Sequence, residues 1–162
     1  MKTYLLILIF ALNTFQLFSQ ESTLTSKDLI GIWQADSKNV DRFWNDSYAF
    51  FKDGTFGFLP SQFDGLQRII GINGQYEVKD NQLILTVKST HEKVGGKLVR
   101  SKYTTKSDSW QVIDFETKEL NIKAEPAILL LEKCEGDSTS VKCILIDKRK
   151  YYKQIDDPED IY

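Results

Sequence analysis

Residues 74–87 read Gly-Gln-Tyr-Glu-Val-Lys-Asp-Asn-Gln-Leu-Ile-Leu-Thr-Val, GQYEVKDNQLILTV. Tyr76 and Val78 share one parity and Gln75, Glu77 and Lys79 the other; beyond Asp80-Asn81, Leu83, Leu85 and Val87 take up the alternation again. A period of two is that of a strand with one buried face, and a short polar pair between two such runs reads as a hairpin turn. The stretch YAFFKDGTFGF, residues 48–58, follows the same plan, with Lys52-Asp53-Gly54 between aromatic-rich runs. An Asp-Gly pair is a strong hairpin signal because Gly54 can take the positive φ that the turn demands. Phe56 and Phe58 then fall on one face.

Further strands are expected at 66–72, 97–105, 109–115, 119–123, 127–133 and 143–152, and no stretch sustains a helical period apart from a short turn near 25–28. Residues 88–96, with His91 and Gly95-Gly96, read as a strand end and a tight turn. About nine short strands at near-regular spacing in one domain predict an all-β fold, an antiparallel and mostly up-and-down β-barrel of about eight or nine strands.

The ends of the chain carry other signals. Met1-Lys2-Thr3, an apolar run over 4–12, and Leu17-Phe18-Ser19-Gln20 follow the order of a secretory signal peptide, with cleavage expected after Ser19. The apolar run, broken by Asn13 and Gln16, is shorter than the ~20 residues a spanning helix needs. The expected organisation is therefore a signal peptide over 1–19, one β-barrel domain over 20–155 and an acidic tail over 156–162 that frays. The expected location is periplasmic or extracellular, as a soluble protein that is not a lipoprotein. With 21 basic and 23 acidic residues the net charge is −2, which provides no general attraction to nucleic acid or to an anionic membrane.

Cys134 and Cys143 flank a Gly/Ser/Thr-rich turn between two apolar runs. On adjacent antiparallel strands they come within disulfide reach, and closing so short a loop stabilises by about 2–3 kcal/mol. A metal pair is a poor alternative with a single histidine in the chain.

Chemistry is hard to assemble from these residues. His91 has no second histidine and no Ser or Cys nucleophile motif beside it, so neither a triad nor a metal site is expected, and the protein is read as a non-enzyme without a cofactor. The segment 88–106 carries Lys88, Lys93, Lys97, Arg100, Lys102 and Lys106 against Glu92 alone, with Tyr103 interleaved. Two readings stay open: a basic surface for an anionic group or an acidic protein, and a solvated edge hairpin whose lysines block edge-to-edge pairing. On the first reading the ligand-binding residues are Arg100, Lys102, Tyr103 and Trp110.

Gly31-Ile32-Trp33, followed by the FFKDGTF and INGQYEVKDNQLILTV hairpins, resembles the lipocalin-like barrels of small exported bacterial proteins. The resemblance implies a Trp33 that closes the barrel floor, a Gly31 that allows close backbone approach, and an arginine near the end of the last strand packed over the indole, for which Arg149 is the match. It also implies an exported protein that holds a small apolar or amphipathic ligand inside the barrel. The competing expectation is a protein-interaction module, an inhibitor of a secreted enzyme or an immunity-type protein, acting on an exported protein partner through its loops and the basic 88–106 segment. Neither reading calls for nucleic acid or for an integral membrane segment after signal cleavage.

Overall fold

The computed structural model describes residues 23–36, 45–61, 63–101, 109–134 and 142–160. The expected signal peptide lies outside the described residues, as do Trp44, Lys102 and Tyr103. A one-turn helix α1 (Ser26–Leu29) leads into nine strands: β1 (Gly31–Ala35), β2 (Ser47–Phe50), β3 (Thr55–Leu59), β4 (Ile69–Lys79), β5 (Gln82–Arg100), β6 (Trp110–Asn121), β7 (Ala127–Lys133), β8 (Cys143–Ile146) and β9 (Arg149–Ile155). A short 3-10 turn, Pro158–Asp160, follows.

The strands form one antiparallel sheet in the order β4-β3-β2-β1-β9-β8-β7-β5-β6, and the β4–β5 ladder closes it. The result is a closed eight-strand barrel with β6 as the extra strand. β6 and β7 lie one after the other along the same edge of β5: β7 pairs with Gln82–Leu85 and β6 with Ser89–Arg100. The second half of β5 and β6 thereby form an arm that extends the sheet.

The two hairpins read from the sequence are present. Asp80 and Asn81 both have positive φ, as a two-residue primed turn requires, and Lys79 faces Gln82 across it. At the other hairpin Asp53 accepts hydrogen bonds from the Thr55 amide (2.9 Å) and hydroxyl (2.6 Å), which sets the turn that Gly54 completes with φ +84°.

Other boundaries differ from expectation. Residues 88–96 do not end a strand; β5 runs unbroken for 19 residues. Gly95 and Gly96 (φ +71° and +86°) bend it within the ladder, and a Cβ on Gly96 would press on Val112 and the Ile113 carbonyl. Conversely, 143–152 is not one strand but the β8–β9 hairpin. Its turn, Asp147-Lys148, has both residues at positive φ, a conformation disfavoured for lysine and therefore invisible to turn propensities.

Inward-facing residues of successive strands form the buried core. One register row runs Trp33, Tyr48, Phe58, Ile72, Thr90 across β1 to β5. Phe50, Phe56, Tyr76, Leu83, Leu85, Leu131, Ile144, Ile146 and Tyr151 complete the same buried cluster. Tyr48 lies 4.6 Å from Phe58 and Phe50 lies 4.8 Å from Tyr76, centroid to centroid. Each such ring or branched chain contributes about 1.5–3 kcal/mol by leaving water.

The end where β1 enters is closed by its own chemistry. Trp33 is buried and its indole Nε1 donates to the Leu29 carbonyl at 2.6 Å, which ties α1 to the first strand. Gly31 sits at φ +130°, where a Cβ would strike the Ile155 carbonyl and, at 2.5 Å, Lys153 Cε. The Tyr76 hydroxyl donates to the Phe51 carbonyl at 3.0 Å, with the Ser26 carbonyl at 3.3 Å.

The cation over Trp33 is Lys153, 5.4 Å from the ring, and not Arg149. The register decides this: Lys153 is the direct partner of Trp33, whereas Arg149 opens β9 at the other end of the strand. There Arg149 donates to Asp36 at 3.0 Å and to Asp46, and so ties the end of β1 to the start of β2.

Over its described part the acidic tail is seated on the barrel. Pro158 is fully buried, Asp157 pairs with Lys52, and Asp156 pairs with Lys153 at 2.9 Å. Asp156 and Asp157 are thus counter-ions for lysines at this end of the barrel. Cys134 and Cys143 lie where β7 leaves and β8 enters, as a disulfide with Cα atoms 5.5 Å apart. Among the described residues no helix is long and apolar enough to cross a membrane.

Candidate functional site

A hollow of about 450 Å³ lies against β1–β5, lined by Ile32, Ser47, Tyr48, Ala49, Phe51, Gly57, Leu59, Ile70, Gly71, Asn73, His91 and Thr117. It is on the outer wall. Strand side chains alternate between faces, and the residues that build this hollow are the sequence neighbours of core residues: Ile32 beside Trp33, Ala49 between Tyr48 and Phe50, Gly57 between Phe56 and Phe58. Register confirms the alignment, since Ile32, Ala49, Gly57 and Asn73 are successive partners across β1, β2, β3 and β4. Ser47 pairs with Leu59, and Gly71 with His91, in an adjacent row.

The glycines show why the hollow is open. At Gly31, Gly65, Gly74 and Gly96 a Cβ would collide with backbone, so packing or chain path demands glycine there. Gly57 and Gly71 are different: the nearest atom to an added Cβ is Asn73 Oδ1 at 3.5 Å in one case and the His91 ring at 3.5 Å in the other, both ordinary contact distances. Their backbone has no positive φ. What the missing side chains do at these two positions is leave space, with Ala49 as the third small residue of the floor. Phe51, Leu59, Ile32 and Ile70 provide the apolar walls.

Polar groups gather toward β4–β6. The Asn73 amide Nδ2 lies 2.9 Å from His91 Nε2. An amide nitrogen only donates, so Nε2 accepts and the imidazole carries its hydrogen on Nδ1. The pair keeps unused capacity: the Nδ1–H of His91, and the carbonyl and second N–H of Asn73. Thr117 adds a hydroxyl from β6. Farther along β1–β2, Ser47 adds another. The ledge beyond is held by the 65–68 segment, whose Gly65 carbonyl accepts from the Val112 amide (3.0 Å) and whose Arg68 carbonyl accepts from the Lys93 amide (2.8 Å).

The residues expected to bind a ligand lie elsewhere. Arg100 and Trp110 are register partners at the far end of the arm, with the guanidinium 5.8 Å from the ring. Lys102 and Tyr103 fall outside the described residues. The basic look of 88–106 is offset across the arm: Lys97 pairs with Asp114 at 3.2 Å and Lys93 stacks over Phe115 at 5.1 Å. β6 supplies these partners. His91, read as a solvated turn residue, instead lines the hollow, and Asn73 was not singled out at all. Among the described residues no group of three or more His, Cys, Asp or Glu side chains is gathered as metal ligands.

Burial pushes the Tyr48 and Tyr151 hydroxyls above the ordinary phenol range, so both stay neutral as core residues. Comparison with known proteins gives no match: no family model, no curated protein and no solved structure aligns with this chain. The functional reading therefore rests on the barrel and the hollow.

Proposed function

We propose that this is an exported, non-enzymatic binding protein for a small apolar or amphipathic molecule, and that the molecule is held in the outer-wall hollow and not in the lumen. The single observation that carries this reading is the floor of Ala49, Gly57 and Gly71, of which the two glycines are required by neither backbone conformation nor packing. The volume falls within the ~300–1,000 Å³ typical of small-molecule sites, and the lining is mostly apolar with a few convergent polar groups, as such sites are. The Gly31/Trp33 entry and the closed meander support a lipocalin-like descent; the disulfide and the leader-like first residues support export.

The test is to fill the floor. Wild type and Gly57→Leu are compared by fluorescence titration with the uncharged dye N-phenyl-1-naphthylamine, and by native mass spectrometry after gentle purification. Saturable dye binding or a co-purifying small molecule in wild type, lost in a Gly57→Leu protein with an unchanged melting curve, supports the reading. Equal dye binding by both proteins rejects the site.

A second reading, a protein-interaction module, is favoured by one observation. Leu98 and Trp110 stand 59% and 41% exposed at the end of the arm, beside Arg100. Exposed apolar and aromatic groups together mark contact surfaces. A Trp110→Ala/Leu98→Ser variant that loses a partner recovered by the wild type from the exported fraction supports this second reading.

A further inference from the structure

The dimensions and charges of the hollow allow its ligand to be specified, on the reading that the hollow is a binding site. We infer that it takes a single-chain amphiphile with an uncharged head that both donates and accepts hydrogen bonds, such as an alcohol or a primary amide. The chain lies across the strands from Ile32 toward Asn73, and the head sits at Asn73, His91 and Thr117.

Length comes from the register. Ile32, Ala49, Gly57 and Asn73 are on four successive strands, so at ~4.8 Å per strand the apolar floor is about 14 Å long. At roughly 1.25 Å per carbon, the projection of a C–C bond in an extended chain, that accommodates a chain of about ten to twelve carbons.

Head-group charge comes from the neighbours of His91. On this face of the sheet the ionisable side chains next to it are Lys93, two residues along β5, and Glu119, its register partner on β6. On β4 it faces Gly71 and Asn73. Arg68, from the segment before β4, turns its Nη1 to the Lys93 carbonyl at 3.2 Å and to the Gly95 carbonyl at 2.5 Å. No Lys, Arg, Asp or Glu side chain is among the residues that line the hollow, and Lys93 is taken up over the Phe115 ring and Arg68 by backbone carbonyls, so neither sign of ligand charge meets a counter-ion there. A charged head would lose hydration without a matched counter-ion. The unused donors and acceptors of the Asn73–His91 pair suit a hydroxyl or amide, which needs one of each.

The experiment is displacement of bound dye from the intact folded protein by a homologous series of 1-alkanols from six to eighteen carbons. Dodecanamide, dodecanoate and dodecyltrimethylammonium serve as head-group comparators. Affinity is expected to tighten up to about fourfold per methylene, as full burial of each would give, and to level off near ten to twelve carbons. Dodecanol and dodecanamide are expected to displace dye at least tenfold more effectively than either ion. In Asn73→Leu and His91→Phe, checked for an unchanged melting curve, that preference is expected to disappear while the chain-length dependence persists.

Tighter binding of either ion than of the alcohol, or affinity that keeps rising to eighteen carbons, overturns the inference. If neutral and charged heads compete equally and Gly57→Leu still abolishes binding, the hollow remains the site and only the head-group assignment fails. If no member of the series displaces dye, both readings fail.

Discussion

Replacing Trp33 tests how this barrel is closed. The indole is 2% exposed, its Nε1 donates to the Leu29 carbonyl at 2.6 Å, and Lys153 lies 5.4 Å from the ring. An aromatic side chain buries ~150–250 Å²; at ~25 cal/mol per Å² that is about 4–6 kcal/mol, an upper estimate because unfolded chains already shield some surface. Trp33→Ala should therefore cost about 3–5 kcal/mol. Trp33→Phe keeps a ring but leaves the buried Leu29 carbonyl without its donor, and should cost about 1–3 kcal/mol. Lys153→Met keeps the stem and removes the charge over the indole, for about 0.5–2 kcal/mol. The assay is urea unfolding followed by circular dichroism, with the Trp33→Phe/Lys153→Met double variant closing the cycle. A cost under about 1 kcal/mol for Trp33→Ala, or equal costs for Phe and Ala, would refute the argument that Trp33 closes the barrel by both packing and a hydrogen bond.

Four further outcomes are expected. Gly31→Ala, at φ +130° with Lys153 Cε 2.5 Å from the new Cβ, should lower stability by at least about 1–3 kcal/mol, whereas Gly71→Ala should leave the melting temperature nearly unchanged; differential scanning calorimetry compares the two. Cys134→Ser/Cys143→Ser should cost about 2–3 kcal/mol in urea unfolding, with the barrel's far-ultraviolet spectrum retained. The Asp28 carboxyl is held below its ordinary value of 3.8 chiefly by the Thr25 hydroxyl and then by the Thr25 amide. A pKa lowered by folding stabilises above the unfolded value and is lost as pH falls through the folded one, so Asp28→Asn should show a flatter decline of melting temperature than wild type between about pH 4 and 2. Arg149→Met should loosen the end of the barrel where Asp36 and Asp46 meet it, read as faster hydrogen exchange of the Ala35 amide, which donates to the Asp46 carbonyl at 2.9 Å.

Legibility varied along the chain for identifiable reasons. In 74–87 one face of each strand is buried and the other wet, so the period of two is plain, and Asp80-Asn81 supplies side chains that tolerate positive φ. The same rule fails in the outer part of β5. From Val94 to Arg100 nearly every residue is exposed on both faces, because the arm extends past the core, and the polar run imitates a turn. Lys148 hides a second turn because lysine rarely adopts the conformation it has there. The cation over Trp33 was sought by family pattern at Arg149, when a bulge between β1 and β9 sets Lys153 opposite the indole instead. Ala49, Gly57, Gly71 and His91 are scattered over 43 positions and only become neighbours through three strand registers.

By itself the sequence determined that the chain forms antiparallel strands, where the two clearest hairpins turn, and that Cys134 can reach Cys143. These are short-range matters, set by side-chain alternation, by the φ a turn residue tolerates and by the length of one loop. The tertiary structure alone decided that, among the described residues, a hollow of about 450 Å³ forms on the outer wall beside the aromatic core. Strand register is a relation between distant segments, and it turns three unremarkable small residues into one floor and a solitary histidine into part of its polar end.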